Sequence, residues 1–405
     1  MIKKFNSKNV TVSNMSISIT NEELAIINDP IESAKGLPSR FYTGGEAMHL
    51  DASTTLAKTW TCLGYYGNLK RGSYEAVELL GMPLVVVRGD DNTNRVFHNI
   101  CRHRGHRLLE SAGVLNGVIK CPYHSWIYDL SGSLKETPHI NGYGKRLTDS
   151  INIAEYGLLE VKSDTWMGLT FVNLDGNEIS LKNYFQPLMR RWKKYFGPNG
   201  LDELSTRQRS DSVKIVVKAN WKLVVENYLE SYHLPWVHPV LNRNSKIENH
   251  YNILVSPNMA GQGSKKFEKQ NEPNEPLEKF SCWPIERAQY AEYIAVFPNL
   301  LLGIHIDHVF SVVLHPVKSD ETVEVFQLLY KNTKDNSKAY AEAKRLLLKE
   351  WCSIFNEDIL PLEGMQKGRL SKAFDGGVFS PKLETATHQF HKWAGAMYAD
   401  CERVI

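Results

Sequence analysis

The 405-residue sequence predicts an α+β protein in which a small antiparallel β unit sits inside a larger domain of antiparallel sheet and helices. Three observations carry that reading. The length leaves room for two to three domains of roughly 150 residues, and 42% hydrophobic residues supply their cores. Residues 60–161 read as short strands separated by turns. Beyond residue 166, helical and strand patterns mix without a regular βαβ rhythm. The division that follows is an N-terminal segment, 1–55, packing on the larger domain, a β unit over 56–163, and the larger domain over 164–405.

The N-terminal segment is polar, with a short helix expected over 21–27. In the β unit, strands are expected at 74–80, 83–87 and 95–99, the last two separated by a Gly89-Asp90-Asp91-Asn92 turn. A turn over 129–132, after Trp126 and Tyr128, implies one more hairpin. In the larger domain, 166–172 reads as a strand, 182–195 as a helix and 212–218 as a strand. Residues 221–233 carry Leu223, Val224, Tyr228 and Leu229 at helical spacing, and Pro235 should end or kink that helix. Polar residues 256–279, with three Pro and two Gly, read as a long loop or lid. Strands are expected at 293–296, 300–306, 310–316 and 323–330, then an amphipathic helix over 339–355. There is no internal repeat.

Composition excludes several classes of function. A net charge of +3 with 23% charged residues gives no nucleic-acid footprint and no polybasic membrane surface. The longest apolar runs, such as 82–87, fall far short of the roughly 20 residues that span a bilayer. The N-terminus lacks the apolar core and cleavage site of a secretory signal. Six cysteines are too few for a disulfide scaffold, so a cytoplasmic location is expected, with Cys62, Cys282, Cys352 and Cys401 as ordinary thiols.

Cys101 and Cys121 differ from the rest because each has a histidine close behind it. Cys101-Arg102-His103 and Cys121-Pro122-Tyr123-His124 form a C-x-H and C-x-x-H pair seventeen residues apart. Two thiolates and two imidazoles can hold zinc, or a 2Fe-2S cluster with the cysteines on one iron and the histidines on the other. A zinc finger groups its cysteines together and its histidines together; here each loop delivers one of each. The stretches CRHRGHRL and CPYHSW resemble the Rieske [2Fe-2S] motif of the Rieske-type non-haem iron oxygenases, which implies cluster ligation by Cys101, His103, Cys121 and His124. Respiratory members of the wider Rieske family carry an extra cysteine on each loop. This chain has His106 and Tyr123 at those places, so it resembles the oxygenase branch, whose alpha subunit sets the Rieske domain in a helix-grip-type catalytic domain.

The second dense passage is ENYLESYHLPWVHP, residues 226–239. On one helix, Glu226, Glu230 and His233 would share a face through steps of four and three, with His238 returning after Pro235. Two histidines and one carboxylate arranged facially leave positions open on Fe(II). The resemblance implies His233, His238 and Asp358 as the mononuclear iron ligands, with Glu357 as the competitor for the third place. It also implies that Glu230, where most members have Asp, bridges the cluster of one subunit, through His103 or His124, to His233 of the next in a homotrimer. Glu at that position resembles the subset acting on carnitine, glycine betaine and choline.

A quaternary ammonium group offers no hydrogen bond, so aromatic faces and carboxylates must recognise it. Tyr232, Trp236, Trp283, Tyr293 and Phe297 are the aromatic candidates, with His305 and His308 as polar contacts. The segment 297–305 also resembles the betaine and choline monooxygenase group. No dinucleotide-binding glycine motif and no run of four ferredoxin-type cysteines occurs, so an NAD(P)H-dependent reductase is the expected electron donor. The expected reaction uses O2 to hydroxylate and N-demethylate a small quaternary ammonium compound. The alternatives are an aromatic ring-hydroxylating oxygenase large subunit, a simple electron carrier and a zinc-structured interaction protein.

Overall fold

The computed structural model describes residues 17–144, 151–198, 201, 204–205, 212–268, 277–331 and 337–400. Near the N-terminus, α1 (Asn21–Asn28) begins with a capping box in which Thr20 and Glu23 satisfy each other's backbone N–H groups, and α2 (Gly44–Ser53) follows.

The first unit contains β1 (Thr61–Tyr65), β2 (Ser73–Leu79), β3 (Met82–Arg88), β4 (Asn94–His98), β5 (Ala112–Val114), β6 (Val118–Lys120), β7 (Ile127–Asp129), β8 (Leu134–Glu136), β9 (Glu160–Trp166) and β10 (Leu169–Asn173). Seven of these form an antiparallel sheet in the order β1-β10-β9-β4-β3-β2-β5, and β6-β7-β8 form a smaller one. β3 shows why the two sheets stack. Val85 and Val87 pack with Cys101, Cys121, Trp126 and Tyr128, whereas Leu84 and Val86 pack on the other side with Leu63 and Tyr66. The period-2 alternation of a strand buried on both faces therefore places the cysteine loops directly over a valine surface.

The expected strand over 166–172 is instead a hairpin. Met167 and Gly168 both take positive φ, 53° and 75°, so Trp166 and Leu169 pair across a two-residue turn. The expected turn over 129–132 is present: Asp129 Oδ1 accepts the N–H groups of Ser131 and Ser133, each at 2.9 Å.

Helix α3 (Leu181–Phe196) leads to the second sheet: β11 (Leu204–Ser205), β12 (Ser212–Val217), β13 (His250–Ser256), β14 (Met259–Ser264), β15 (Ala291–Val296), β16 (Leu300–Ile304), β17 (Val309–Lys318) and β18 (Glu321–Lys331). Its antiparallel order is β11-β18-β17-β16-β15-β14-β13, with β12 also pairing β18. α3 covers one face. The other carries α4 (Trp221–Tyr228), α5 (Leu234–Val237), α6 (Pro239–Asn244), α7 (Lys338–Glu357), α8 (Ile359–Gly368) and α9 (Thr385–Ala399).

Two further expectations change here. The supposed loop over 256–279 contains β14, whose glycines are strand residues: a Cβ on Gly261 would meet the Tyr293 carbonyl oxygen at 1.9 Å, and one on Gly263 the Tyr251 ring. Residues 269–276 lie outside the described residues. The helix expected over 221–233 stops at Tyr228, and Pro235 occupies the first turn of α5 rather than ending α4. Glu226, Glu230 and His233 therefore do not share one helical face.

The N-terminal segment docks through buried charge. Lys222 of α4 pairs with Asp51, their side chains 0% and 2% exposed, and Asp51 also accepts from Trp221 Nε1 at 2.9 Å and Tyr398 Oη at 2.6 Å. Lys222→Met leaves the Asp51 charge without its counter-ion, so the variant is expected to lose about 3–5 kcal/mol of stability, read as a lowered thermal midpoint. An unchanged midpoint would show that Trp221 and Tyr398 alone suffice for Asp51.

Candidate metal centres

Two similar tight loops present the first set. The Cys101 N–H donates to the His106 carbonyl at 2.8 Å and the Gly105 N–H to the Cys101 carbonyl at 2.9 Å; Cys121 does the same with Trp126 and Ser125, at 2.8 and 3.0 Å. Gly105 and Ser125 close the two turns at positive φ. Both cysteines are buried, and the His103 and His124 rings lie edge to face with centroids 4.7 Å apart. Tyr128 Oη sits 3.3 Å from Cys101 Sγ and accepts the Arg102 N–H at 3.1 Å, and Trp126 stacks on His103. Burial pushes the Cys101 thiol up, a cost that an electron-deficient metal would reverse. His124 Nδ1 is buried without a hydrogen-bond partner. Two buried thiols, two adjacent imidazoles and an orphaned ring nitrogen fit a [2Fe-2S] group. His106 is exposed, tilts against Tyr123 and stays outside the set.

The second set forms at helix junctions. His233 precedes α5, His238 lies between α5 and α6, and Asp358 lies between α7 and α8. Pro235 and Pro239 each sit in the first turn of a new short helix, so the chain doubles back and the two rings meet with centroids 5.1 Å apart. One ligand atom from each of His233, His238 and Asp358 falls within 4.8 Å of the others. Asp358 Oδ1 is 3.0 Å from His238 Nε2 and 3.7 Å from His233 Nε2, and accepts from Asn227 Nδ2 at 3.2 Å. Glu357, the competitor, lies 2.8 Å from His238 Nδ1 and thus supports that ring from behind. Glu230 does the same for His233, with Oε1 at 2.5 Å from Nδ1. Both Nε2 atoms are thereby aimed at Asp358, a facial donor set that fits Fe(II). Burial disfavours charge on His238, but Asp358 and Glu357 outweigh it and hold its pKa above the ordinary value; a metal would take that proton's place.

A cavity of about 520 Å³, counting its mouth, opens beside these ligands. Asn227, Tyr228, Tyr293, Phe310, Trp351 and Phe355 line it together with His250 and Gln262. Of the seven residues expected to meet substrate, only Tyr293 lines this cavity. Tyr232 and Trp236, which flank His233 in the chain, are 48% and 72% exposed and pack edge to face on each other at the surface. Trp283 stacks on Tyr195 under the opposite face of the sheet. Phe297 shares the Tyr293 face but lies four residues, roughly 13 Å, further along and packs on Phe390 and Trp393. His305 stands behind the wall, stacked on His308. Sequence reading missed Trp351 and Phe355, although their i, i+4 spacing on the expected helix, just before Asp358, was a usable signal.

Glu324 on β18 is a buried acid near this centre. Burial, and then the Asp358 charge, push its carboxyl up to about 8 from an ordinary 4.5. Between those values the unfolded chain has lost the proton that the folded chain keeps, so this group makes stability fall as pH rises from about 4.5 to about 8 and level off above. Glu324→Gln is expected to remove that fall: the thermal midpoints of variant and wild type should converge near pH 4 and separate most above pH 8, with the variant higher. Parallel profiles would assign the pH dependence elsewhere.

Comparison with known proteins places these observations. The Rieske [2Fe-2S] domain family matches residues 59–156, and the ring-hydroxylating alpha subunit catalytic domain family matches residues 203–400. The carnitine monooxygenase oxygenase subunit of Escherichia coli K12 is 26% identical over 354 residues, 84% of this chain and 86% of that protein. The glycine betaine monooxygenase oxygenase subunit of Chromohalobacter salexigens is 33% identical over 213 residues, 52% of this chain and 45% of that one. Among solved structures, the quaternary ammonium Rieske monooxygenase CntA in complex with L-carnitine superposes with a TM-score of 0.73 at 21% identity, covering 93% of this chain and 98% of that one, which shows a common fold.

A cluster-bearing β unit joined to a helix-covered sheet with a mononuclear metal centre defines the Rieske non-haem iron oxygenases. The chain belongs to this family as an alpha, or oxygenase, subunit and is an oxidoreductase of the Rieske monooxygenase type; its cofactors are a [2Fe-2S] Rieske cluster and a mononuclear iron. No helix among the described residues is long and apolar enough to cross a membrane.

Proposed function

We propose that this chain is the oxygenase component of a two-component monooxygenase that hydroxylates and N-demethylates a small quaternary ammonium compound of the betaine or carnitine type. The observation that carries the proposal is the cavity: aromatic side chains and the carboxylates of Glu230 and Asp358 line it, and no Lys or Arg does so among the described residues. Such a wall suits a cation that cannot hydrogen-bond. In this reading Cys101, His103, Cys121 and His124 hold the cluster, and His233, His238 and Asp358 hold the iron. When bound, these groups supply the electrons and the O2 activation. The chain's own residues place the substrate: Tyr293, Phe310 and Trp351 exclude water and seat the methyl groups, while Glu230 and Glu357 fix which ring nitrogen of each histidine faces the metal. Hydroxylation of an N-methyl carbon gives a hemiaminal that collapses to formaldehyde and the demethylated amine.

The same proposal includes an NAD(P)H-dependent reductase as donor, a cytoplasmic location, and a homotrimer in which electrons pass from His103 or His124 of the partner subunit through Glu230 to His233. It also divides the chain at 1–55, 56–163 and 164–405. The test supplies reduced protein with O2 and a panel of glycine betaine, carnitine, choline and simple aromatics, assaying formaldehyde and trimethylamine against hydroxylated ring products. Formaldehyde from an ammonium compound supports the proposal. Ring products alone would replace it with an aromatic ring-hydroxylating function.

A further inference from the structure

Trp351 borders the iron cavity and is tied at its nitrogen to a buried polar chain. Its indole Nε1–H donates to His308 Nε2 at 3.0 Å, and His308 Nδ1 lies 2.7 Å from Asp307 Oδ1. All three residues are buried. An indole nitrogen only donates, so His308 Nε2 must offer its lone pair; the proton of the neutral ring then sits on Nδ1 and points at Asp307. Donation therefore runs in one direction, from indole to imidazole to carboxylate. Hydrogen bonds joined head to tail polarise one another where the dielectric is low. His305 lies flat on His308, with centroids 4.5 Å apart and planes 6° apart, and Phe310 braces the indole at 4.6 Å.

A merely structural tryptophan needs no such chain. Trp60 and Trp283 donate their indole N–H groups to the backbone carbonyls of Ile179 and Arg287, and Trp192 and Trp221 donate directly to the buried carboxylates of Glu292 and Asp51, whereas Trp351 donates to an imidazole that is itself backed by an acid. Among the described residues, Trp351 is also the tryptophan that lines the cavity.

We infer that Trp351 is the specificity-determining face for the substrate's ammonium group, and that His308 and Asp307 are positioning residues that hold the indole and shift electron density onto it. This inference rests on the quaternary ammonium reading above. A more electron-rich ring face attracts a trimethylammonium group more strongly, while an uncharged group of the same shape gains packing alone.

The experiment compares cations with their carbon isosteres. Dissociation constants for choline and 3,3-dimethylbutan-1-ol, and for glycine betaine and 3,3-dimethylbutanoate, are measured anaerobically by calorimetry on protein loaded with cluster and Fe(II). Wild type is expected to favour the cation of a pair by about tenfold or more. Asp307→Asn keeps an oxygen facing His308 but removes the charge, and Trp351→Phe keeps an aromatic face but cuts the chain; each is expected to reduce the preference about threefold, and Trp351→Leu to bring it close to one. Iron content and cluster absorption, unchanged throughout, show that each variant is folded. A preference unchanged in Asp307→Asn and Trp351→Phe, or cation and isostere weakened equally, would overturn the inference while the proposed function stands. A wild type that binds none of choline, glycine betaine and carnitine would overturn the proposed function itself.

Discussion

His233→Ala is expected to empty the mononuclear iron site and reduce product formation to background while leaving the cluster's absorption intact. The alanine removes one of three ligand atoms lying within 4.8 Å of one another, and the two that remain, on His238 and Asp358, no longer complete a facial set. Glu230 also loses the ring it orients, since its Oε1 sits on His233 Nδ1. The effect should therefore exceed the roughly 10–100-fold that loss of a supporting residue alone produces. The cysteine loops stand over β3 in a different sheet and share no core with α5, so cluster absorption and cluster iron should not change. Metal analysis beside the visible spectrum checks both halves. Loss of cluster iron along with the mononuclear iron would show that the two centres are not built independently.

The cysteine loops were legible because their four candidate ligands are local: each loop is a short turn whose spacing alone brings a thiol and an imidazole together. The proximity of His233 and His238 was legible for the same reason, since HLPWVH holds both and a proline after each of them starts a new short helix. Asp358 was different. It reaches the histidines through a helix junction more than a hundred residues downstream, and nothing local marks it; only the resemblance picked it out. The strands that misled did so through glycine. Met167-Gly168 reads as part of an apolar run but is a turn, and Gly261 and Gly263 read as loop but are strand residues pressed against β15 and Tyr251.

The substrate wall was least legible, because a cavity is made by side chains that are distant in sequence. Proximity to the histidines in the chain favoured Tyr232 and Trp236, yet both side chains are turned to the surface. Of the aromatic residues that do line the cavity, Tyr293, Phe310, Trp351 and Phe355 come from β15, β17 and α7, which meet only because α7 packs across the sheet. Helical spacing identifies which side of α7 is apolar, but what that side faces is a tertiary fact.

Glu230→Gln is expected to retain both iron and cluster and still to lose about 10–100-fold in turnover, with KM little changed. Glu230 has two tasks visible in its contacts. Its Oε2 accepts the Tyr232 and His233 N–H groups at the start of α5, and its Oε1 takes His233 Nδ1, so the ring's Nε2 is left for metal. Its carbonyl, in turn, accepts from Gln262 Nε2 at 2.7 Å, which fixes the backbone beneath it. Glutamine supplies one oxygen where two are used. If that oxygen stays with His233 Nδ1, the amide NH2 confronts two backbone donors; if it flips, it confronts the imidazole N–H. Either arrangement disturbs the path into His233 without removing a ligand, so metal analysis separates this variant from His233→Ala. Chemically reduced variant protein mixed with O2 and substrate should reoxidise its cluster slowly, whereas Glu230→Asp, which keeps both oxygens on a shorter arm, should recover part of the rate. Full turnover in Glu230→Gln would take Glu230 out of the electron path and leave it the cap of α5 alone.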